Sequence, residues 1–155
     1  MVKLAVIRIR GGINIRRDAK ETLGMIGLTR VNHCVIIDDN SSHRGMLQKI
    51  KDFVTWGEVK PSVLEHLLRK RGRLPGDERP TDELVRSKTK FSSIGALAAA
   101  ICAGEAGLGV LPGLKKVFRL NPPHKGYKAT KRPFKDRGDL GYRGELINEL
   151  ILRMA

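Results

Sequence analysis

Several residue classes on which function often depends are scarce in this sequence of 155 residues. Aromatic residues make up 5% of it, too few for a platform on which single-stranded bases would stack. The two cysteines, Cys34 and Cys102, lie far apart and have no second pair of ligands, which excludes a disulfide scaffold and a structural zinc site and fits a reducing compartment. No apolar run approaches the roughly 18 residues of a membrane span. Met1 leads directly into an apolar, strand-like segment, so we expect no signal peptide.

Signatures of catalysis are also missing. The sequence contains neither the G-x-x-x-x-G-K-[ST] phosphate loop nor the G-x-S-x-G nucleophile turn. The glycines of residues 104–109 have the reverse of the dinucleotide-binding spacing and follow a predicted helix, so we interpret them as a loop. Asp38 and Asp39 are interpreted as capping or charge-balancing groups rather than metal ligands, and His33 and His43 as polar contacts. We therefore predict no enzymatic activity, metal, cofactor or small-molecule substrate.

Acidic residues are few relative to basic ones. The sequence has 30 Lys and Arg against 16 Asp and Glu, a formal net charge of +14, so nucleic acid or an anionic membrane is the expected class of partner. Five basic residues and no acid occur in residues 1–17, whereas residues 18–60 have six of each sign. Residues 115–143 have ten basic and two acidic residues, so more than half of the excess lies in this one segment.

The segment 115–143 is also rich in proline and glycine and poor in apolar residues. A segment of this composition cannot bury enough apolar surface to fold as an independent unit. We interpret it as an extended basic arm that becomes ordered on a polyanion. The alternative is a flexible loop that keeps the protein in solution.

The periodicity of apolar residues predicts three strands that alternate with two helices. The strands are predicted over residues 2–10, 33–37 and 53–59, and the helices over residues 17–26 and 43–51. Because each helix is a crossover, we predict that neighbouring strands pair in parallel and that both helices cover one face of the sheet. The other face is then left for something else, and we expect Arg8 and Arg10 to lie on it.

Further elements follow this βαβαβ unit. Helices are predicted over residues 62–71, 81–89, 92–103 and 145–154, and a strand over residues 115–120. The first of these helices ends in a basic cluster, RKRGR, at residues 69–73. The predicted fold class is α/β (α+β), with a helical and extended basic C-terminal extension after the core.

Residues 24–60 resemble the core of a known family. They carry the block RVNH at residues 30–33, before the second strand, and RGM at residues 44–46, at the start of the second helix. These blocks are similar to those of the L-thirty family of large-subunit ribosomal proteins. Short bacterial members end near Val59, whereas this chain continues through a third helix and the segment RLNPPHKGY at residues 119–127, as the long archaeal and eukaryotic form does.

The resemblance implies a ferredoxin-like βαβαβ core over residues 1–60 with its helices on one face, and an extension over residues 61–155 packed on the core and on RNA. It implies a structural constituent of the large ribosomal subunit, in the cytoplasm, without catalysis or cofactor. The implied partners are large-subunit rRNA, whose folded form the protein would stabilise, and neighbouring ribosomal proteins, with 5S rRNA as a further candidate. A membrane partner is not expected. The alternatives are an RNA-processing or RNA-modifying enzyme, or a free RNA chaperone, with a basic arm that delivers RNA.

The predicted RNA-binding residues come from the family blocks and from the cationic clusters. Gly45 either lets the backbone approach a phosphate or serves helix packing, and Tyr127, Phe134 and Tyr142 either stack on RNA or anchor the arm to the protein. Residues in the matching blocks are Arg30, Asn32, His33, Arg44 and Gly45. The cations outside the blocks are Arg8, Arg10, Arg16, Arg17, Arg69, Lys70, Arg71, Arg73, Arg119, Lys125, Lys128, Lys131, Arg132, Lys135, Arg137 and Arg143.

Overall fold

One sheet of five strands runs through the computed structural model, which describes residues 2–155. The strands are β1 (Lys3–Arg8), β2 (His33–Asp38), β3 (Val54–Glu58), β4 (Val117–Arg119) and β5 (Gly141–Tyr142). Their order across the sheet is β4-β2-β1-β3-β5. Met1, with which the predicted core begins, lies outside the described residues.

The directions of the strands differ from the prediction. β1 pairs antiparallel with both β2 and β3, so the prediction of parallel neighbours is wrong for these three strands. The reason is that the connection from β1 to β2 leaves and re-enters the sheet at the same end, where the amide of Asn32 donates to the carbonyl of Arg8 over 2.8 Å. β2 and β3 do run in the same direction, but β1 lies between them. This split βαβ arrangement is the pattern of ferredoxin-like folds.

Six α-helices occur within residues 2–155, close to their predicted positions. They are α1 (Arg17–Ile26), α2 (Ser41–Ile50), α3 (Pro61–Arg71), α4 (Asp82–Lys88), α5 (Ile94–Ala103) and α6 (Ile147–Met154). α2 begins two residues before its predicted start because the side chain of Asn40 accepts a hydrogen bond from the amide of His43 (2.8 Å) and caps the helix. None of the helices in the described chain is long and apolar enough to cross a membrane.

The first face of the sheet is covered by α1 and α2, as predicted. Leu4 and Val6 of β1 point to this face and join Leu23 of α1 and Leu47 of α2 in one buried cluster. Arg8 follows the same alternation, so it belongs to the helix-covered face. The expectation that Arg8 lies on an uncovered face is therefore wrong, because the side chain is 6% exposed.

The second face is covered by the C-terminal part of the chain. Ala5 and Ile7 of β1 pack in a larger buried cluster with Leu64 of α3, Leu97 of α5 and Ile151 of α6. Apolar side chains of α3, α5 and α6 thus cover the face of the sheet for which the sequence predicted no covering element. Because burial of apolar area is the main stabilising contribution to folding, residues 61–155 contribute directly to the stability of the sheet.

The predicted basic arm is ordered against the sheet along part of its length. β4 and β5 both lie within residues 115–143, and they form the two edges of the sheet by pairing with β2 and β3. Leu140 is 5% exposed and Arg143 is 8% exposed. β4 lies within the strand predicted over residues 115–120, whereas the pairing of β5 at the other end of the segment was not predicted. Sheet edges offer free backbone donors and acceptors, and the segment binds to them at both ends.

Candidate nucleic-acid interface

Cations gather at the end of the sheet where β1 stops and β2 and β3 start. His33 lies opposite Arg119 in the pairing of β2 with β4, and the amide of His33 donates to the carbonyl of Arg30 (3.3 Å). Arg10 and Lys51 line one hollow of 490 Å³ beside the start of β3. We call this group, Arg10, Arg30, His33, Lys51 and Arg119, the basic end. Among the described residues, none of its members forms an ion pair.

His33 stands between the guanidinium groups of the basic end. Partial burial lowers the pKa of the imidazole, and the positive charges of Arg119, Arg30 and Arg8 lower it further. Its Nδ1 lies 3.5 Å from the hydroxyl of Thr29. Since the ordinary histidine pKa is about 6.5, His33 is neutral at neutral pH and offers a hydrogen bond rather than a charge.

Arg10 is positioned before any ligand arrives. Its guanidinium carbon lies 5.4 Å from the centre of the Phe53 ring, and Nη1 donates to the carbonyl of Asp52 over 3.3 Å. The side chain is partly exposed, so donors remain for a phosphate. A guanidinium that is held over an aromatic ring loses less conformational entropy when it binds an anion.

The opposite end of the sheet has a balanced charge. Its cations are engaged by carboxylates, and we call it the balanced end. Arg44 donates to both carboxylate oxygens of Asp39 (2.5 and 2.6 Å), which lowers the pKa of Asp39. A Cβ added to Gly45 would meet nothing within 4 Å, so packing inside the chain does not require glycine there. The ion pairs at this end are Lys3–Asp38, Arg44–Asp39 and Lys60–Glu145.

Arg8 is a structural residue. Its Nη1 donates to the carbonyls of Leu28 (2.8 Å) and Thr29 (2.9 Å), and its Nε donates to the carbonyl of Arg10 (2.9 Å). Burial lowers its pKa. The guanidinium thus satisfies the backbone of the two loops that flank α1, and its burial removes it from the surface that the sequence assigned to it.

Asn32, from the family block, holds the arm to the sheet. It adopts a left-handed backbone conformation (φ 63°), its carbonyl accepts from the amide of Leu120 (3.0 Å), and its Oδ1 accepts from the hydroxyl of Tyr127 (2.9 Å). Burial raises the pKa of Tyr127 to about 12. Of the two readings of Tyr127, the structure supports anchoring to the protein.

Arg143 forms a second anchor of the arm. Its Nε donates to the hydroxyl of Thr55 in β3 (2.8 Å), and its Nη2 donates to the carbonyl (2.7 Å) and carboxylate (3.2 Å) of Asp139. Its guanidinium carbon lies 5.0 Å from the centre of the Phe134 ring, so Phe134 also packs within the arm. Burial lowers the pKa of Arg143, against the effect of Asp139. Asp139 lies four residues before Arg143, and this spacing is the feature of the sequence from which the buried ion pair could have been predicted.

Tyr142 is the arm aromatic that stays open to solvent, at 51% exposure. Its hydroxyl donates to Oε1 of Glu58 (2.6 Å), which raises the pKa of the phenol. Its ring centre lies 6.5 Å from that of Trp56, and both rings line a cleft of 370 Å³ together with Arg44. Tyr142 therefore belongs to the balanced end.

The cluster after α3 is partly neutralised. Arg69 is bound by Glu65 (3.0 Å) and Asp82 (3.0 Å), while Lys70 is exposed. The carbonyl of Arg73 accepts from the amide of Lys115 (2.9 Å), which places the cluster beside the edge strand β4. Nε of Arg71 is buried, and no hydrogen-bond partner for it exists within residues 2–155.

The middle of the arm presents free cations. Within the part of the chain that the structure describes, these six residues are exposed and form no ion pair: Lys125, Lys128, Lys131, Arg132, Lys135 and Arg137. Arg16 is likewise exposed, whereas Arg17 is paired with Glu21 (2.8 Å).

Sequence reasoning missed Lys51 at the basic end. Lys51 could have been predicted from its position in the sequence just before β3, because β3 starts at the basic end.

Groups suited to catalysis are not assembled in the described residues. No cluster of three or more His, Cys, Asp or Glu suited to a metal occurs in residues 2–155. Burial raises the pKa of the Cys34 thiol to about 12, so this cysteine is not a ready nucleophile. The unpaired cations described above are instead concentrated at the basic end and along the arm.

Comparisons with known proteins agree with one another. The family model described as ribosomal protein L30p/L7e matches residues 4–54. A protein named large ribosomal subunit protein uL30 from Methanosphaera stadtmanae is 51% identical over 150 residues, which cover 97% of this chain and 98% of that protein. Proteins of the same name from Methanoculleus marisnigri and Archaeoglobus fulgidus are 48% and 49% identical, with the same coverage.

Proposed function

Because the chain belongs to the L30p/L7e (uL30) family of large ribosomal subunit proteins, we propose that it is a structural constituent of the large ribosomal subunit. It binds large-subunit rRNA and stabilises its folded form, and it works in the ribosome and hence in the cytoplasm. The resemblance seen at residues 30–33 and 44–46 is confirmed by matches over nearly the full chain. The family is structural, and we propose no catalytic role.

The observation that carries the proposal is the separation of charge along the sheet. The basic end offers guanidinium groups without carboxylate partners, whereas the cations of the balanced end are paired. Unpaired cations replace the counterions of phosphates, and this release drives binding to RNA. The scarcity of exposed aromatic residues favours recognition of shape and backbone over recognition of bases.

Three groups of residues support this contact. At the basic end, Arg10, Arg30 and Arg119 bind phosphates and neutral His33 donates a hydrogen bond, with Asn32 positioning the arm beside them. The cluster after α3 adds a weaker patch, because Arg69 is already paired. Arg44 and Gly45 meet a different RNA segment or a neighbouring protein. The remaining proposed RNA-binding residues are Arg16, Arg17, Lys70, Arg71, Arg73, Lys125, Lys128, Lys131, Arg132, Lys135 and Arg137.

The arm brings its cations to RNA from an anchored position. Tyr127 and Arg143 attach it to the sheet at two points, so the exposed cations between them are displayed on a segment whose course is already set. Such a segment pays less ordering entropy on binding than a free tail. We propose neighbouring ribosomal proteins and 5S rRNA as its further partners.

Sedimentation of a cell lysate tests the proposal. We expect the protein to migrate with the large subunit in stoichiometric amount and to remain with it through a moderate-salt wash. A free RNA chaperone or an RNA-modifying enzyme would remain mainly in the soluble fractions, and that result would contradict the proposal. RNA binding alone does not discriminate among the three functions, because each of them includes it.

A further inference from the structure

The loop between β1 and α1, residues 9–16, carries a large apolar side chain at its tip. Ile13 is 90% exposed, more than any other large hydrophobic residue that the structure describes, and Met25 follows at 71%. Leaving an isoleucine in water costs free energy that burial against a partner would recover. An exposed apolar tip on a cationic surface points to a binding function of the loop.

The base of this loop is fixed to the sheet. The amides of Ile9 and Arg10 both donate to the carbonyl of Phe53 (2.9 and 3.1 Å), and Ile15 packs against the cluster under α1 and α2. A Cβ at Gly12 would lie 2.9 Å from Nη2 of Arg8, so glycine lets the loop bend closely over the buried guanidinium. The loop is thus held at both ends and bare at its tip.

The charges around the tip indicate a polyanion. Residues 1–17 contain five basic residues and no acid. Arg10 and Arg16, on either side of the tip, form no ion pair within the described chain. Ile9, Arg10, Gly11 and Ile13 line a shallow hollow of 330 Å³ with Thr130 of the arm, so the loop and the arm face one space.

We propose that Ile13 is an apolar wedge that packs into the minor groove of a large-subunit rRNA helix, while Arg10 and Arg16 bind the phosphates on its two sides. The minor groove of A-form RNA is wide and shallow and displays sugars and base edges, against which an isoleucine loses its exposure to water. Apolar side chains, isoleucine among them, also enter the minor groove of DNA, where they insert between base steps. This inference rests on the proposed ribosomal function and adds to it a contact that does not depend on charge.

The test compares apolar and ionic contributions to the affinity of the purified full-length protein for large-subunit rRNA over a range of salt concentrations. We expect Ile13→Ala to weaken binding about tenfold with an unchanged slope of log K against log salt, since three buried carbon groups are lost and no charge is. Arg16→Ala should instead reduce that slope by about one. The matched control is Val2→Ala, an exposed apolar residue beside Asp39 at the balanced end, which should leave affinity and slope unchanged.

The outcomes separate the wedge from the proposed function. If Ile13→Ala binds rRNA as the wild type does, the wedge is overturned and the ribosomal role stands. If Ile13→Ala binds rRNA normally but no longer joins the large subunit, the tip contacts a neighbouring protein, and the assignment to RNA is likewise overturned. If the wild type neither binds this rRNA nor migrates with the subunit, the proposed function itself fails. Circular dichroism verifies that each variant is folded, as expected for substitutions at exposed sites.

Discussion

At the scale of single residues, two arginines that the sequence assigns to RNA belong to the interior. Arg8 and Arg143 are 6% and 8% exposed, and both give their donors to groups of the chain itself. Some of their partners, such as the carbonyl of Leu28 and the hydroxyl of Thr55, come from distant segments, and the local sequence does not indicate that proximity. Asp139, four residues before Arg143, is the one partner that the local sequence does indicate. We therefore leave both residues out of the proposed RNA-binding set.

Arg143→Ala is expected to lower the free energy of unfolding by about 3 kcal/mol or more. The substitution leaves the carboxylate of Asp139 buried without its cationic partner, and the hydroxyl of Thr55 loses the donor that it accepts from. Removing one member of a buried ion pair is costly. Urea denaturation measures the change. The matched control is Arg137→Ala, an exposed arm cation, which should change stability by less than about 0.5 kcal/mol. Equal stability of the two variants would contradict the anchoring role.

His33 is expected to make stability depend on pH below about 6.5. Its pKa is lower in the folded state than in the unfolded state, so the unfolded chain binds more protons in the window between the two values. Stability is therefore complete above that window and falls as the pH falls through it. Urea denaturation at about pH 5.5 and about pH 7.5 should show a smaller difference in His33→Gln than in the wild type. An identical difference in both would refute this assignment.

At the scale of elements, residues 115–143 are part of the sheet and are also a segment that we propose binds RNA. β4 and β5 come from this segment and form the two edges. The same 29 residues therefore contain the exposed cations of the arm and the buried groups that attach it. The two roles can be separated by substitution.

Replacing residues 121–143 with a glycine-serine linker is expected to destabilise the fold by at least about 3 kcal/mol, because β5, Leu140 and the Arg143 pair are lost together. Thermal unfolding followed by circular dichroism measures this loss. A matched variant with Lys128, Lys131, Lys135 and Arg137 changed to glutamine should keep the melting temperature and bind RNA less tightly with a smaller salt slope. A near-native melting temperature of the linker variant would show that the arm is dispensable for folding.

The helices and the first strands could be predicted from the sequence to within about two residues at most ends. Apolar periodicity is a local signal and carries this information. The start of α2 was predicted two residues late because the cap at Asn40 was not recognised. Strand order and direction could not be predicted, because they depend on where the connection through Asn32 returns to the sheet. For the same reason, the sequence shows which segments are rich in cations but does not show that Arg30, His33 and Arg119 lie together at one end of the sheet.

At the scale of the whole molecule, the net charge of +14 is unevenly distributed. Free cations lie at the basic end and along the arm, while the balanced end neutralises its own. Such a distribution orients the protein in the field of a polyanion before contact, which raises the rate of productive encounters. In the proposed orientation on rRNA, the balanced end faces away from the densest phosphates. A cleft lined by Trp56 and Tyr142 lies at this end.

The short edge strands also bear on the time before the protein meets its RNA. β2 and β3 would otherwise present unpaired backbone groups at the margins of the sheet, but β4 and β5, three and two residues long, occupy these margins. Short edge strands that are flanked by charged residues are poor templates for the addition of a strand from another molecule. A newly synthesised copy that waits for assembly is thereby protected from self-association into extended sheets.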